Sequence, residues 1–518
     1  MNDKHKEVVK VFKALVFVAV YMYIGIHLTP FPMNRNIFAS VAIAVCCVLS
    51  CNQPKPASDN VQDRIRQVEK NLFAPVRIEG EGPWTVEERL AFHKIPGVSI
   101  AVIKDYKLDW ARAYGWADSA GQRAVTTETV FQAASISKSL NAVGLLKLAQ
   151  DGKVALDTDI NTYLTSWKFP YDSASHGKKI TITNLLSHTA GLTVHGIGGY
   201  APGDSLPTVI EILDGKKPAN SEAVRSMREP DQTSIYSGGG TTISQLIAMD
   251  VTGQPYEVFM EQSVLTPLGM INSFYTQPPP AARQSQLTTA YHRDGTPVAG
   301  KFHIYPEQAT AGLWTTPTDL ARYIIETQLA LQGKSSKVLT QAYTEKRLTP
   351  YRDAAGLGVF ITTRDNARYF EHGGANDGFR CFYTGSFEEG NGVAIMVNSD
   401  NGAILQEVLN SVAVAYHWKG FEIPAPKKIV KLDSQQWKSL EGRYSMVGRP
   451  DAHLQLTSRD EKLILKQEWD GGEVVFEAES ETAFFCKNFH FPIKVRKKER
   501  GVVTEFLAFD KDVWVRVK

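Results

Sequence analysis

The chain has 518 residues, with 57 Lys+Arg against 55 Asp+Glu and five cysteines. A net charge of +2 gives no case for a long phosphate-binding surface, and five cysteines cannot staple a disulfide-dense scaffold. With 43% apolar residues, Gly 39 and Pro 25, collagen-like and low-complexity chains are excluded, leaving a globular chain of two or three domains.

Residues 1–51 differ from the rest. Lys4, Lys6, Lys10, Lys13 and Arg35 against Asp3 and Glu7 give a local +3, so the remainder carries −1. Two apolar runs lie here, at 14–26 and 37–50. The first falls short of the roughly 20 residues needed to span a bilayer. A basic start, a short apolar stretch and small residues before a cut site describe a secretory signal. Val48-Leu-Ser-Cys51 resembles a bacterial lipobox, which implies that Cys51 is lipidated and becomes the mature N-terminus. Met33 is then a natural start, and residues 1–32 are an upstream extension or an extra membrane segment. Residues 52–84 read as a tether and lead-in, the Pro and polar residues after Cys51 forming its flexible start.

From there the predicted elements run in order. Strands at 98–104 and 108–117 flank Asp105-Tyr106, a hairpin turn. An apolar-periodic helix runs from about Ser135 to Leu148 and stops at Asp151-Gly152. A mostly helical middle includes a helix near 180–186 capped by Thr183, one at 241–251 and one at 318–331 after Pro317. Strands follow at 357–362, 367–371, 379–384 and 392–398, then a helix at 403–418. Strands, a helical insert, strands and a closing helix predict an α+β fold, an antiparallel sheet flanked by helices. Residues 421–430 read as a linker. Eight short runs from 442 to 517 predict a small antiparallel β-barrel over 431–518. The basic run 494–500 reads as a solvated hairpin, and Cys381 and Cys486 as buried small hydrophobes.

Three clusters carry chemistry. Ser135-Ile-Ser-Lys138 puts a serine and a lysine on one helix face. At a helix start, free N–H groups favour developing negative charge on the serine. A desolvated, neutral lysine can take its proton. Tyr236-Ser-Gly238-Gly-Gly places a tyrosine in a Gly-rich loop ahead of a helix, suited to proton transfer. His372-Gly-Gly374-Ala375 lies between two strand runs, where glycines let a substrate backbone approach and His372 can donate to substrate or move a proton. No metal is called for: His-Glu-x-x-His is absent, and Glu371 and His372 are adjacent, so in a strand they face opposite ways. No feature requires a nucleotide, haem or other cofactor. His188 reads as bonding a loop near the site, and His195 and His292 have no partner visible in sequence.

Together these clusters resemble the serine beta-lactamase-like and penicillin-binding superfamily, in the branch of class C beta-lactamases, D-alanyl-D-alanine carboxypeptidases and esterases. The segments 184–192, 266–270 and 311–320 are similar to family segments. The resemblance covers roughly 85–420, and the last 90 residues or so resemble the lipocalin-like domain appended to many such hydrolases. It implies a beta-lactamase-like/transpeptidase fold. It also implies Ser135 as nucleophile, Lys138 with Tyr236 as the proton-transfer pair, His372 at the head of the third motif, and the backbone N–H groups of Ser135 and Ala375 as oxyanion hole. Gly238 stands where the family's second motif has Asn, and His372 where many members have Lys. Both departures favour a peptidase or esterase acting on small-molecule, peptide or peptidoglycan-derived substrates over an efficient beta-lactamase; an inactive penicillin-binding or sensor protein is the other reading. The leader implies an envelope location, tethered to the membrane with the hydrolase domain outside the cytosol. Intact-mass measurement of the membrane fraction is expected to show a chain beginning at modified Cys51; one beginning at unmodified Met1 would refute the lipoprotein reading.

Overall fold

A computed structural model describes residues 60–487 and 489–517; the readings of the leader, Cys51 included, lie outside them. The first hairpin sets the sheet. Strand β1 (Gly97–Lys104) turns back into β2 (Lys107–Asp118) through Asp105 and Tyr106, at φ 52° and 62°. Two left-handed residues are what a two-residue turn needs to match strand twist. β1 is buried on both faces: Ala101 and Ile103 enter one core, while Val98, Ile100 and Val102 enter another. That is the period of 2 expected of a central strand.

With β3 (Arg123–Ala124), β6 (Phe360–Arg364), β7 (Ala367–Asn376), β8 (Phe379–Ser386) and β9 (Gly392–Val397), the sheet has the order β3-β2-β1-β9-β8-β7-β6. Its described pairings are all antiparallel. On one face lie helices α1 (Val61–Lys70), α2 (Val86–His93) and α8 (Ala403–Ala415). The other face carries α3 (Ser137–Gln150), α4 (Ile182–Leu186), α5 (Gly238–Thr252), α6 (Gln308–Ala311) and α7 (Pro317–Leu331). A short pair, β4 (Phe131–Gln132) with β5 (Trp314–Thr315), leads into the site. Among the described residues no helix is long and apolar enough to cross a membrane.

The α+β expectation and the barrel hold, while several local readings shift for physical reasons. Within the stretch read as tether and lead-in, residues 61–70 form α1, with Ile65 and Val68 buried against the face built by α8. Thr181, not Thr183, caps α4; Thr183 instead bonds Leu156 O and Asp157. The strand expected from 357 starts at Phe360, because Gly356 N–H bonds Val359 O and closes a turn. In that turn Gly358 sits at φ 71°, where a Cβ would meet Ala142 Cβ at 2.5 Å and Lys138 O at 2.8 Å. The Gly-rich run after Tyr236 is the first turn of α5, capped by Ser237 Oγ on Gly240 N–H.

Strands β10 (Gly442–Met446), β11 (Arg449–Arg459), β12 (Lys462–Gln467), β13 (Glu473–Ala478), β14 (Ala483–Phe485), β15 (Pro492–Glu499), β16 (Val502–Ala508) and β17 (Asp512–Arg516) form a closed barrel. Side chains such as Leu454, Leu456, Phe476 and Phe506 fill it. Lys494, Arg496 and Lys497 of the basic run pair with Asp510 and Glu505. Phe485 packs on Val76 and Ile78, and Ile78 bridges to Lys427, holding the barrel against the lead-in.

Behind the sheet, Arg89 of α2 donates to Glu407 of α8 (2.7 Å from Nε), with both side chains buried. Burial pushes the Glu407 carboxyl up, but bonds from Arg89 and His93 outweigh it and hold the group below the usual range. Removing one partner of a buried pair leaves the other uncompensated. Glu407→Ala is expected to cost about 3 kcal/mol, read as a lower denaturant midpoint; Glu407→Gln should cost less.

Candidate active site

The segment around Ser135 is a forced turn. Ala134, directly before Ser135, has φ 48°, a conformation costing about 1–2 kcal/mol for a residue with a Cβ. Its surroundings over-determine it. Ala133 N–H bonds Leu313 O, Ile136 N–H bonds Ala133 O, and Ser137 Oγ donates to Ala134 O while accepting from Leu313 N–H. A single 3₁₀ turn, Ala134–Ile136, then presents Ser135 at the entrance to α3.

Lys138, one turn on, is 3% exposed and donates from Nζ to Ser135 Oγ at 3.0 Å and to Thr310 O at 2.9 Å. Its Nζ also lies 4.9 Å from the Tyr236 ring centre, within cation–π range. No carboxylate among the described residues forms an ion pair with it. Burial alone brings its pKa down to about 7, so near neutrality a sizeable fraction is free amine able to take a proton from Ser135. Tyr236 comes from the strand-like lead into α5. Burial pushes its hydroxyl up to about 12 against a lowering bond to Ser135, which keeps it a proton donor.

Ser135, Lys138 and Tyr236 thus meet as one cluster. His372 is brought to it too: its ring lies 6.4 Å from that of Tyr236 and 5.3 Å from Phe360, and His188 lies 4.4 Å from Tyr236. Burial and the charge of Lys138 hold His372 at about 4 and His188 at about 3, so both are neutral at physiological pH. His372 Nδ1 sits 2.6 Å from Gly373 O. A carbonyl only accepts, so Nδ1 carries the proton and the buried Nε2, without a partner, is a bare acceptor. The third motif therefore offers no fixed positive charge.

The third motif lies inside β7. Strand β6 pairs with β7 only from Ala367 to Glu371, whereas β8 pairs from Tyr369 to Asn376. Among the described residues, His372 to Asn376 therefore have no strand partner on one side. Gly374 faces the Ser135 turn, where a Cβ would stand 2.4 Å from both Ala133 O and Cys381 Sγ. Ala375 follows it on the opposite face. Gly238 is the first residue of α5, with Thr310 Cγ2 3.2 Å from where its Cβ would be. Thr310 Oγ1 donates to Gly238 O, so Thr310 fills the space beside the missing carboxamide.

Sequence reasoning missed Thr310, since a backbone carbonyl has no residue signature, and Phe360, which the shifted β6 brings in. Glu307 stands at the start of α6. That side chain is buried, neither carboxyl oxygen has a hydrogen-bond partner, and burial pushes it up to about 7.

The fold has counterparts. The Beta-lactamase family model matches residues 85–413, and the chain belongs to that family. Protein flp of Staphylococcus aureus (strain N315) is 26% identical over 343 residues, 64% of this chain; the match spans 65% of that relative's own length. The putative penicillin-binding protein PbpX of Bacillus subtilis (strain 168) is 26% identical over 60% of this chain and 73% of its own. Among solved structures, the octameric penicillin-binding protein homologue from Pyrococcus abyssi superposes with a TM-score of 0.56 at 20% identity, covering 83% of this chain and 98% of that one. The penicillin-binding protein from Bacillus halodurans gives 0.51 at 20% identity, over 63% and 98%. At such identities the structural matches carry the fold.

If neutral Lys138 is the base, kcat/KM rises with pH about tenfold per unit below about 7 and levels off above it, because the active form is the deprotonated one. Glu307 also titrates near 7, so the profile is measured in Glu307→Gln as well. The limb should persist there and be lost, together with most activity, in Lys138→Ala.

Proposed function

We propose that the chain is a serine hydrolase working through an acyl-enzyme on peptide, amide or ester substrates, of the D-amino acid peptidase or esterase type. The observation that carries this is the Lys138 amine, buried, without a carboxylate, 3.0 Å from Ser135 Oγ. In this reading Ser135 Oγ attacks the carbonyl and its proton passes to Lys138. Tyr236 protonates the leaving amine or alcohol, and water then releases the acyl group. The N–H groups of Ser135 and Ala375 hold the oxyanion. Gly238 supplies no carboxamide for an acyl amide, and neutral His372 supplies no cation for a substrate carboxylate. Both weigh against an efficient beta-lactamase. The leader favours action at the cell envelope, on the membrane-tethered chain, against peptidoglycan-derived or other external substrates.

The test is labelling with a fluorophosphonate or a fluorescent penicillin, followed by mass spectrometry and a panel of D-amino acid peptides, peptidoglycan fragments, small esters and β-lactams. An adduct on Ser135, absent in Ser135→Ala, with turnover of a peptide or ester, is the expected result. Tyr236→Phe should then lower kcat by about 10²–10⁴. No adduct with any probe would leave a binding or sensor protein on the same fold.

A further inference from the structure

Beyond the nucleophile, the end of β7 gathers a second set of polar groups. His292 Nδ1 lies 3.4 Å from Asp400 Oδ2 and 3.7 Å from Asp377 Oδ1, and one ligand atom from each of the three lies within 4.8 Å of the others. All three are partly buried. These separations are long for hydrogen bonds. The 3.4 Å pair falls within the roughly 3.3–3.6 Å that separates two ligands of a tetrahedral cation with bonds of about 2.0–2.2 Å, and the 3.7 Å pair lies just beyond it.

A second, independent observation points the same way. His303 Nδ1 is 3.1 Å from Gly198 O, and its Nε2 is 3.5 Å from Asp377 Oδ2. A neutral imidazole has one N–H, yet both nitrogens here face acceptors. An imidazole whose far nitrogen donates to a backbone carbonyl is the arrangement that orients histidines around bound metals. The other oxygen of Asp400 is already held by Gly378 N–H and Arg380, both at 2.9 Å, which aims Oδ2 at His292. Two carboxylates and one arginine leave one net negative charge for an incoming cation.

We propose that His292, Asp377 and Asp400 form a binding site for a divalent cation of the zinc class, with His303 orienting Asp377 or completing the set. The N/O donors suit that metal. The site joins three segments that are distant in sequence. It is also tied to the nucleophile turn: Gln132 donates to His303 O at 2.7 Å and accepts from Asn376, next to Asp377, at 2.7 Å. Gln132 stands three residues before Ser135, so a bound cation would fix the end of the free β7 edge relative to that turn. It has no part in the acyl chemistry.

The experiment is titration of the full chain with zinc chloride by calorimetry, with metal content measured after dialysis. One equivalent is expected in the wild type and equally in Ser135→Ala, with a rise in Tm on loading. His292→Ala and Asp377→Asn should each weaken binding at least about tenfold, and His303→Gln by about tenfold. Absence of stoichiometric binding to the wild type would overturn the proposal whatever the variants do. Equal binding by wild type and all three variants would show an adventitious ion only and overturn it too.

Discussion

The site depends on keeping one ammonium group dry. Lys138 is buried, its Nζ 4.9 Å from the ring centre of Tyr236, with Thr310 O and Ser135 Oγ as its hydrogen-bond acceptors. A fall from 10.5 to about 7 corresponds to about 5 kcal/mol of bias against the charged form. A carboxylate beside it would have cancelled that bias. The two histidines, each kept neutral by the same burial, add none of the negative charge that would restore it. The features around Lys138 follow from this: Gly358 must be glycine to reach the Lys138 carbonyl closely, and Thr310 offers a backbone dipole where a charged acceptor would have defeated the purpose.

The turn that carries Ser135 obeys a second constraint. Ala134 adopts a left-handed conformation it does not favour, and the strain persists because Ser137, Leu313 and Ala133 each remove an alternative hydrogen-bond partner. Gly374 then lets β7 press against this turn. Position of Ser135 and position of the strand edge are thus a single geometric fact, and errors in one are transmitted to the other.

Much of this was legible in the sequence. The hairpin at Asp105-Tyr106, the three-residue spacing that brings Ser135 and Lys138 together, and the eight barrel strands followed from local period and turn chemistry. What escaped detection was set by tertiary contact. Residues 61–70 look polar enough for a tether, yet Ile65 and Val68 suffice to dock them. The Gly-rich run after Tyr236 reads as loop, but Ser237 caps it into helix. Phe360 and Thr310 enter the site through chain trajectory, and Thr310 through a backbone atom, for which residue type carries no information. The pairing of His292 with Asp377 and Asp400 joins positions 85 and 108 residues apart, which no local pattern records.

The open stretch of β7 has one more implication. Along a strand, backbone groups point to the same side only at every second residue, so five residues present main-chain partners from two or three positions at most. An extended ligand laid along it gains a short ladder and no more. On the function proposed above, lengthening a ligand beyond those five residues adds nothing to what this edge can hold.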